Sequence, residues 1–398
     1  MFLIISITIY FKEKFMLFPI SKQALSCPHF DLCAGCSHQL FVEPPIWREV
    51  IENFKETLNP ILHQGTLTGW RCRAKLAVRG TKQNPIIGLF KKGSHEALTI
   101  PFCLVHHPRI NQAVTMIQNW MEKHQLNPYQ EHSQAGDLRY LQFVVERASG
   151  KVQVAFVLNF KDFSSPESQI WRKLLLKLAQ ETTNAFWHSI WVNFNPHATN
   201  TIFTDKWEKV WGEPYLWESF DGVKICFQPS NFAQANLDLF EKLLEKVKSW
   251  VRERAKIVEF FAGVGTIGLS IAAKCTWIKC EEINPHSKEC FYYAKQQLSS
   301  EISQKIMFYT GSADENLNLL QGADTVIVDP PRKGLSRKFI EGLTQSSVDQ
   351  LIYVSCGWDS FKKNKETLIS QGWNLKKLEG YSLFPGSEHI ELLTLFER

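Results

Sequence analysis

The chain has 398 residues, of which 44% are hydrophobic and 21% are charged. This length allows two domains, each with its own core, and the composition excludes an intrinsically disordered chain. The formal net charge of +5 permits a nucleic-acid partner without requiring one.

The first segment, residues 1–20, begins with an apolar run that ends at Lys12. About 20 apolar residues are needed to cross a bilayer. The positive charges also follow the run, whereas those of a secretory signal precede it. We therefore interpret residues 1–20 as an extension outside the domains, with Met16 as an alternative start of translation. We expect a cytoplasmic protein that contacts no membrane.

Three cysteines follow with the spacing Cys27-x5-Cys33-x2-Cys36. In a reducing cytosol such a group indicates metal binding or catalysis. Zinc usually takes paired Cys-x-x-Cys hooks, of which one is present, although His29 and His38 are alternative ligands. An uneven triplet with a distant fourth ligand is more typical of a [4Fe-4S] cluster. The pattern favours iron–sulfur over zinc and leaves both open.

The next region, to about residue 215, predicts a helix at Ile46–Leu58 and then short strands. Those strands are Ala74–Arg79, Leu138–Glu146 and Val152–Asn159. We place a central α+β domain at residues 21–215, with the helix packed on the C-terminal domain. Basic and aromatic side chains interleave at Trp70–Lys75 and Asp137–Tyr140, which suits phosphate contacts and stacking on unpaired RNA bases. A solvated strand face is the alternative.

From residue 216 to the C terminus, helices and strands alternate. The predicted helices are Leu237–Arg252, Thr266–Ala273 and Pro285–Leu298, and the predicted strands are Lys256–Phe261, Ile278–Ile283, Thr325–Val328 and Leu351–Val354. This order implies right-handed βαβ units and a doubly wound, Rossmann-like parallel sheet, so the fold class is α/β. Ligands of such sheets bind beyond the carboxyl ends of the strands.

A glycine loop follows the first of these strands. Gly263 and Gly265 allow a tight turn and a close approach to a ligand, and a nicotinamide dinucleotide is one candidate. Two acids favour another ligand: Glu259 precedes the glycines, where it can meet an ammonium, and Glu282 ends the next strand, where it can bind ribose hydroxyls. Together they suit S-adenosylmethionine (SAM), which has an ammonium and a ribose but no pyrophosphate.

Asp329 ends a later strand and is followed by two prolines and Arg332. Prolines at a strand end cannot extend the hydrogen-bonded ladder, so they fix a loop that shapes a pocket. Enzymes that methylate base amino groups carry an aromatic residue where Arg332 stands. The loop therefore argues against amino-group methylation.

Cys356 follows a buried strand, where cysteine is often only a small hydrophobe. It has a chemical use here, because carbon 5 of uracil becomes nucleophilic once a thiolate adds to carbon 6. Such a thiol needs its pKa lowered by positive charge or a polar pocket. A base must later remove the proton on carbon 5. Glu391 is the candidate base, His389 is expected to orient the loop or the base, and Glu388 is a solvated acid.

These motifs, in this order and spacing, resemble those of RNA (uracil-5-)methyltransferases over residues 25–398. The resemblance implies SAM-dependent methylation of uridine, with Cys356 as nucleophile and Glu391 as base. It also implies SAM contacts at Gln234, Phe261, Glu282 and Asp329. There are two departures: Ala262 stands where the family often has cysteine, and Gly357 stands where it commonly has asparagine.

The ribosomal-RNA branch of that family carries the same cysteine triplet and a fourth cysteine, which maps to Cys103. Only 26 residues precede Cys27, fewer than the β-barrel RNA-binding module of many members needs. The resemblance implies a [4Fe-4S] cluster that braces the central domain, and a loop or bulge uridine of 23S ribosomal RNA as target. Alternatives are a transfer-RNA uridine-C5 methyltransferase or a non-catalytic iron–sulfur RNA-binding protein. We expect a monomer that binds no DNA.

Overall fold

The structure is a computed structural model that describes residues 25–39, 44–182 and 186–398. The predicted extension, residues 1–20, lies outside the described residues. The first helix and strand are α1 (Pro45–Phe54) and β1 (Ile61–His63). α1 begins at Pro45, because proline suits the first position of a helix, and it buries Trp47, Val50 and Phe54.

The central domain is built on a mostly antiparallel sheet. Its strands are β2 (Arg73–Gly80), β3 (Pro85–Phe90), β4 (Ala97–Thr99), β5 (Leu138–Val145), β6 (Val152–Leu158), β7 (Trp187–Phe194) and β8 (Trp207–Gly212). Their order is β4-β3-β2-β5-β6-β7-β8, and the β6–β7 pair is parallel because a helix connects its strands.

Two helices cover this sheet, α2 (Pro108–Lys123) and α3 (Pro166–Glu181). Each begins with a proline after a residue whose side chain accepts a hydrogen bond from the first turn. Trp120 of α2 and Trp171 of α3 are buried and meet edge to face, with ring centres 6.0 Å apart. The helices therefore share one apolar core with the sheet.

A β-hairpin of β9 (Leu216–Phe220) and β10 (Val223–Phe227) joins the two domains. Its turn residues, Asp221 and Gly222, have φ values of +46° and +78°. This is the left-handed conformation that Asp-Gly adopts in tight hairpins.

The C-terminal domain contains the helices α4 (Leu237–Trp250), α5 (Thr266–Ile271), α6 (Ser287–Lys295), α7 (Ser300–Ser303), α8 (Arg337–Gln345) and α9 (Trp358–Ser370). Its strands are β11 (Lys256–Phe260), β12 (Trp277–Glu282), β13 (Ile306–Thr310), β14 (Thr325–Val328), β15 (Gln350–Ser355), β16 (Asn374–Tyr381) and β17 (Glu391–Glu397).

These strands form a sheet with the order β1-β16-β17-β15-β14-β11-β12-β13. The strands β11 to β15 are parallel, and β17 runs antiparallel between β15 and β16. The predicted doubly wound α/β sheet is confirmed. Chain order reverses between β14 and β11, which is where ligands bind in open α/β sheets.

Residues 45–63 also belong to this C-terminal domain. β1 pairs in parallel with β16, and Trp47 packs in the core on one face of the sheet. Trp358, at the start of α9, donates its indole N–H to Glu49 at 2.9 Å. The central domain predicted from the sequence, residues 21–215, includes α1 and β1. In the structure both elements are part of the C-terminal domain. In the described part of the chain, no helix is long and apolar enough to cross a membrane.

Candidate active site

The carboxyl ends of neighbouring strands meet at one edge of the C-terminal sheet. β12, β11, β14 and β15 are parallel and in register. The residues at or just beyond their ends are therefore gathered there: Phe261, Glu282, Asp329 and Cys356.

β17 brings one more residue to this edge, because it runs in the opposite direction. Ser355 of β15 pairs with Leu392 of β17, so Cys356 and Glu391 occupy neighbouring positions on adjacent strands. Glu391 is 3% exposed, while Cys356 is half-buried. The thiol and the carboxyl group chosen from the sequence are thus brought together by strand register.

Burial and negative charge dominate the electrostatics of this pair. Burial, together with the carboxylates of Glu391 and Asp329, raises the pKa of the Cys356 thiol to about 11, and the positive charge of Arg332 opposes the rise. Burial also raises the pKa of Asp329 to about 7 and that of Glu391 well above its ordinary value. The protein alone therefore does not provide the lowered thiol pKa that the sequence analysis required.

The loop after β14 is hydrogen-bonded to α9 beside Cys356. Ser360 Oγ donates to the carbonyl of Arg332 at 2.8 Å. A Cβ atom at Gly357 would lie 2.8 Å from that carbonyl oxygen and 2.7 Å from Ser360 Oγ. A side chain at position 357 would push the loop away, so the glycine allows Arg332 to stay close to Cys356.

His389 holds the side chain of the same arginine. Arg332 donates to His389 Nε2 at 3.1 Å. Burial and the charge of Arg332 lower the pKa of His389, so the imidazole is neutral and can accept this bond. Glu388 is exposed and lies 3.9 Å from His38. His389 therefore contacts Arg332 in the loop after β14, whereas Glu388 faces solvent.

A cleft opens beyond β11, between the glycine loop and the segment Gln228–Asn236. Residues from both sides line it: Phe232, Gln234, Phe261, Gly263, Thr266 and Asp329. Phe261 has a φ of +61°, a conformation that costs a non-glycine residue about 1 kcal/mol or more. Gly265 has a φ of +80°, and a Cβ there would meet the ring of Phe291. The backbone of this loop is held in a turn that faces the cleft.

The two acids singled out with the glycine loop both bind main-chain amides. Glu259 is 2% exposed and accepts a hydrogen bond from Gly268 N at 2.9 Å. Burial raises the pKa of Glu259 to about 8, so near neutral pH it is a weaker partner for an ammonium than the sequence suggested. Glu282 accepts from Gly263 N at 2.8 Å and so fixes the glycine loop.

The segment Gln228–Asn236 supplies the opposite wall of the cleft. Gln234 Oε1 is buried and has no hydrogen-bond partner among the described residues. Buried acceptors are rarely left unpaired, so this atom is a candidate ligand contact. Phe232 is 71% exposed at the mouth of the cleft. Phe232 was not among the residues predicted from the sequence, and the only signal for it was an aromatic residue between Asn231 and Gln234.

The four cysteines of the predicted cluster lie near one another. Burial raises the pKa of Cys33, Cys36 and Cys103, and negative charge on neighbouring thiols adds to the effect; the value for Cys36 is about 11. Cys27 is among those neighbours. In the described chain, no three Cys, His, Asp or Glu side chains are arranged to hold one metal ion. The thiols share a neighbourhood without forming a site for a single ion, and the iron–sulfur cluster stays a prediction.

The loop that carries Cys27, Cys33 and Cys36 is hydrogen-bonded to the chain shortly before Glu391. The amides of Ser37 and His38 donate to the carbonyl of Gly386 at 2.7 and 3.0 Å. Cys36 Sγ would be 3.4 Å from a Cβ at Gly386. The cysteine loop and the loop before β17 thus form one packed unit.

The strands predicted to contact RNA place several cations inside the protein. Arg139 is 3% exposed and donates to the carbonyls of Asn195 and His197, both at 2.6 Å. Arg73 donates to carbonyls of the Gln228–Asn236 segment. The prediction is wrong for these two arginines, because their charged groups bind main chain. Lys75 keeps an exposed side chain on the same strand.

Comparison with known proteins gives consistent matches. A model of the tRNA (uracil-5-)methyltransferase family matches residues 219–398. A Protochlamydia amoebophila protein described as an uncharacterized RNA methyltransferase is 97% identical over 383 residues, which are 96% of this chain and 100% of that protein. A similarly described Lactobacillus johnsonii protein is 26% identical over 338 residues, covering 83% and 72% of the two chains.

Among solved structures, the chain is similar to the Pyrococcus abyssi tRNA (uracil-54, C5)-methyltransferase in complex with S-adenosyl-L-homocysteine. The TM-score is 0.70 at 24% sequence identity, and the match covers 87% of this chain and 81% of that chain. The two proteins share a fold.

Proposed function

The chain belongs to the RNA (uracil-5-)methyltransferase family, and we propose that it methylates carbon 5 of a uridine in 23S ribosomal RNA with SAM as methyl donor. The observation that carries this proposal is the pairing of Ser355 with Leu392, which sets Cys356 beside Glu391. A thiol next to a carboxyl group suits a reaction that combines covalent addition with proton removal.

The proposed reaction uses these two side chains in sequence. The thiolate of Cys356 adds to carbon 6 of uracil, and the displaced electron pair gives carbon 5 enolate character. Carbon 5 then takes the methyl group of SAM, and S-adenosylhomocysteine leaves. Glu391 removes the proton from carbon 5, the 5,6 double bond forms again, and the sulfur of Cys356 departs as a thiolate.

Residues around the cleft fit the polar groups of SAM. The unpaired Oε1 atom of Gln234 is a free acceptor for an N–H group. Asp329 lines the same cleft and is positioned for a cationic group. Phe261, Glu282, Gly263 and Gly265 form the turn that faces it. Glu259 accepts a hydrogen bond from the amide of Gly268, just after the turn. Because this bond occupies the carboxylate, it limits the proposed contact of Glu259 with the ammonium of SAM.

Arg332 is proposed to stabilise the reactive thiolate. A pKa of about 11 means that Cys356 is mostly protonated at neutral pH in the free protein. Arg332 opposes the two carboxylates that raise this pKa, and Ser360 and His389 hold its main chain and side chain. Burial and the charge of Asp329 raise the pKa of Glu391, so its carboxylate form is a stronger base than an ordinary carboxylate.

We propose that Cys27, Cys33, Cys36 and Cys103 hold a [4Fe-4S] cluster. In such a cluster each cysteine binds a different iron atom, so four thiols that share a neighbourhood fit it better than they fit one zinc ion. The methyl transfer needs no electron, so the cluster has a structural role. The bonds from Ser37 and His38 to Gly386 extend that role to the loop before Glu391.

Mapping of 5-methyluridine tests the substrate. We expect ribosomal RNA from a strain that lacks the gene to lose one or more 5-methyluridines of the large subunit. The description of the matching family favours a second candidate, transfer RNA. Loss of 5-methyluridine in transfer RNA alone would support that candidate. Intact modification in both RNAs would favour the non-catalytic alternative.

A further inference from the structure

We propose that Arg73 is a positioning residue, which fixes the segment Gln228–Asn236 against the central domain and thereby sets the wall of the SAM cleft. This inference rests on the proposed function, because it assumes that SAM occupies the cleft. It assigns to β2 a task in methyl-donor binding in addition to any contact with RNA.

The contacts of Arg73 converge on one short stretch of main chain. Its guanidinium donates to the carbonyl of Asn231 at 2.6 Å and to that of Pro229 at 3.2 Å. The same group donates to Gln142 Oε1 at 3.2 Å, and Gln142 Nε2 donates to the Pro229 carbonyl at 3.0 Å. Arg73 and Gln142 therefore bind the segment as a pair from adjacent strands.

Among the described residues, the side-chain hydrogen bonds of Arg73 go to the neutral oxygen atoms of Gln142, Pro229 and Asn231, not to a carboxylate. Burial lowers the pKa of Arg73 to about 10, which leaves the guanidinium charged at neutral pH. Arg73 is partly buried, so its N–H groups need acceptors within the protein, and bonds from a charged donor are stronger than those between neutral groups. The two carbonyls must therefore stay near the guanidinium, and this requirement restricts the segment.

The restricted stretch leads directly into the cleft. Beyond Asn231 the chain exposes Phe232 and turns Gln234 towards the glycine loop. A second hydrogen bond holds the C-terminal end of the segment, since the amide of Cys72 donates to the carbonyl of Ala235 at 2.8 Å. Residues 232–234 are thus held at both ends by neighbouring residues of the central domain.

The local fold adds further order around Asn231. Asn231 is 1% exposed, and its Oδ1 atom accepts from Gln228 N at 2.8 Å and from Cys290 Sγ at 3.1 Å. Its side chain is thus tied to the C-terminal domain, while its carbonyl is tied to Arg73. Asn231 is therefore the point at which the two domains jointly position the cleft wall.

The test compares Arg73→Gln and Arg73→Lys with a matched control, Arg79→Gln. Arg79 lies on the same strand, is 9% exposed, and donates to the carbonyls of Val78 and Arg139 at 2.8 and 2.9 Å. It is bonded to the central domain and not to the cleft segment. The control therefore reports the general cost of losing a buried arginine from β2.

The measurements are calorimetric binding of S-adenosylhomocysteine, thermal unfolding, and hydrogen exchange of the amides of residues 228–236. For Arg73→Gln we expect the Kd to rise about tenfold, within the usual range of coupling between two sites, and the exchange to accelerate. Arg73→Lys keeps a charged donor and should recover part of the affinity. Arg79→Gln should lower the unfolding temperature while leaving the Kd within about twofold of the wild type.

An unchanged Kd in Arg73→Gln, or equal Kd values for Arg73→Gln and Arg79→Gln, would overturn the assignment. So would a wild-type protein that does not bind S-adenosylhomocysteine. If Arg73→Gln does not fold, the Arg73→Lys variant decides by the Kd for S-adenosylhomocysteine and by hydrogen exchange of residues 228–236. None of these measurements uses RNA. A wild type that binds the ligand but makes no 5-methyluridine would therefore contradict the proposed function and leave the role of Arg73 standing.

Discussion

Cys356 and Glu391 are neighbours because Ser355 of β15 pairs with Leu392 of β17. The parallel strands of the sheet deliver Cys356 to the carboxyl edge, and one antiparallel strand delivers Glu391 to the same edge. A shift of this pairing by one residue would turn every side chain of β17 to the opposite face. The reaction geometry therefore depends on the register of two strands.

Replacement of the base should stop the reaction after the covalent step. We expect Glu391→Gln to lower turnover roughly 10²- to 10⁴-fold, the usual contribution of general base catalysis. Methyl transfer to bound RNA should still occur once, and the protein–RNA adduct should accumulate. Denaturing gels with labelled RNA measure the adduct. Loss of turnover without any adduct would show that Glu391 acts before the methyl group is transferred.

The rate of adduct formation should rise with pH through the neutral and alkaline range. The thiolate is the reactive form, and the pKa of Cys356 is raised to about 11. At any pH below this value, a higher pH therefore gives more thiolate. Arg332 lowers the pKa, so Arg332→Gln should shift the profile to higher pH and slow the reaction at neutral pH.

Lys333→Gln is the matched control for that profile, because it removes a neighbouring cation of the same loop. Arg332 is among the groups with the largest effect on the pKa of Cys356, and Lys333 is not. Single-turnover rates across pH separate the two variants. Identical profiles for Arg332→Gln and the wild type would contradict the role of Arg332.

A side chain at position 357 should disturb the active site. The Cβ of Gly357→Ala would lie 2.8 Å from the carbonyl oxygen of Arg332, so either the loop or the helix must move. We expect methyl transfer to fall about tenfold or more, with a loss of stability of about 1–3 kcal/mol, the usual cost of overpacking. Thermal unfolding and single-turnover assays measure both effects.

Gly65→Ala is the control, because its Cβ would make only an ordinary contact of 3.6 Å with Leu239. It should change neither the methyl transfer rate nor the stability by a comparable amount. Full activity of Gly357→Ala would show that the loop has room for a side chain and that the glycine has another explanation.

The proposed cluster predicts iron, not zinc, in protein purified without oxygen. We expect about four iron atoms and broad visible absorbance per chain. Cys36→Ser should lose that absorbance and speed hydrogen exchange at residues 384–390, because Ser37 and His38 bind Gly386. Cys275→Ser is a control, since Cys275 is buried far along the chain from the group. Stoichiometric zinc with no iron would contradict the assignment.

The C-terminal sheet could be predicted because apolar strands alternate with amphipathic helices there, and each motif follows a strand. β1 (Ile61–His63) could not, since three residues carry no periodic pattern and their partner β16 lies more than 300 residues away in the chain. The local basic pattern around Arg139 predicted an RNA contact. Such a pattern does not show that carbonyl groups distant in the chain will bind the guanidinium. The carbonyls that accept hydrogen bonds from Arg139 belong to Asn195 and His197.

The sequence indicated which side chains meet at this edge of the sheet, but not the electrostatics that they create there. The order of Asp329, Cys356 and Glu391 along the chain indicated the chemistry. The pKa of Cys356 depends on how closely two carboxylates and Arg332 approach it after folding. Such distances are set by strand register and by the contact at Gly357, which the sequence alone does not specify.

The most direct test of the central claim is mass spectrometry of the protein after incubation with SAM and RNA that contains 5-fluorouridine. A base cannot remove fluorine from carbon 5 as it removes the proton of normal uridine. Elimination of Cys356 is therefore blocked, and the covalent intermediate should persist. We expect a methylated nucleotide attached to the peptide that contains Cys356, and no such adduct in Cys356→Ala. An adduct at another residue, or methylation of normal RNA by Cys356→Ala, would contradict it.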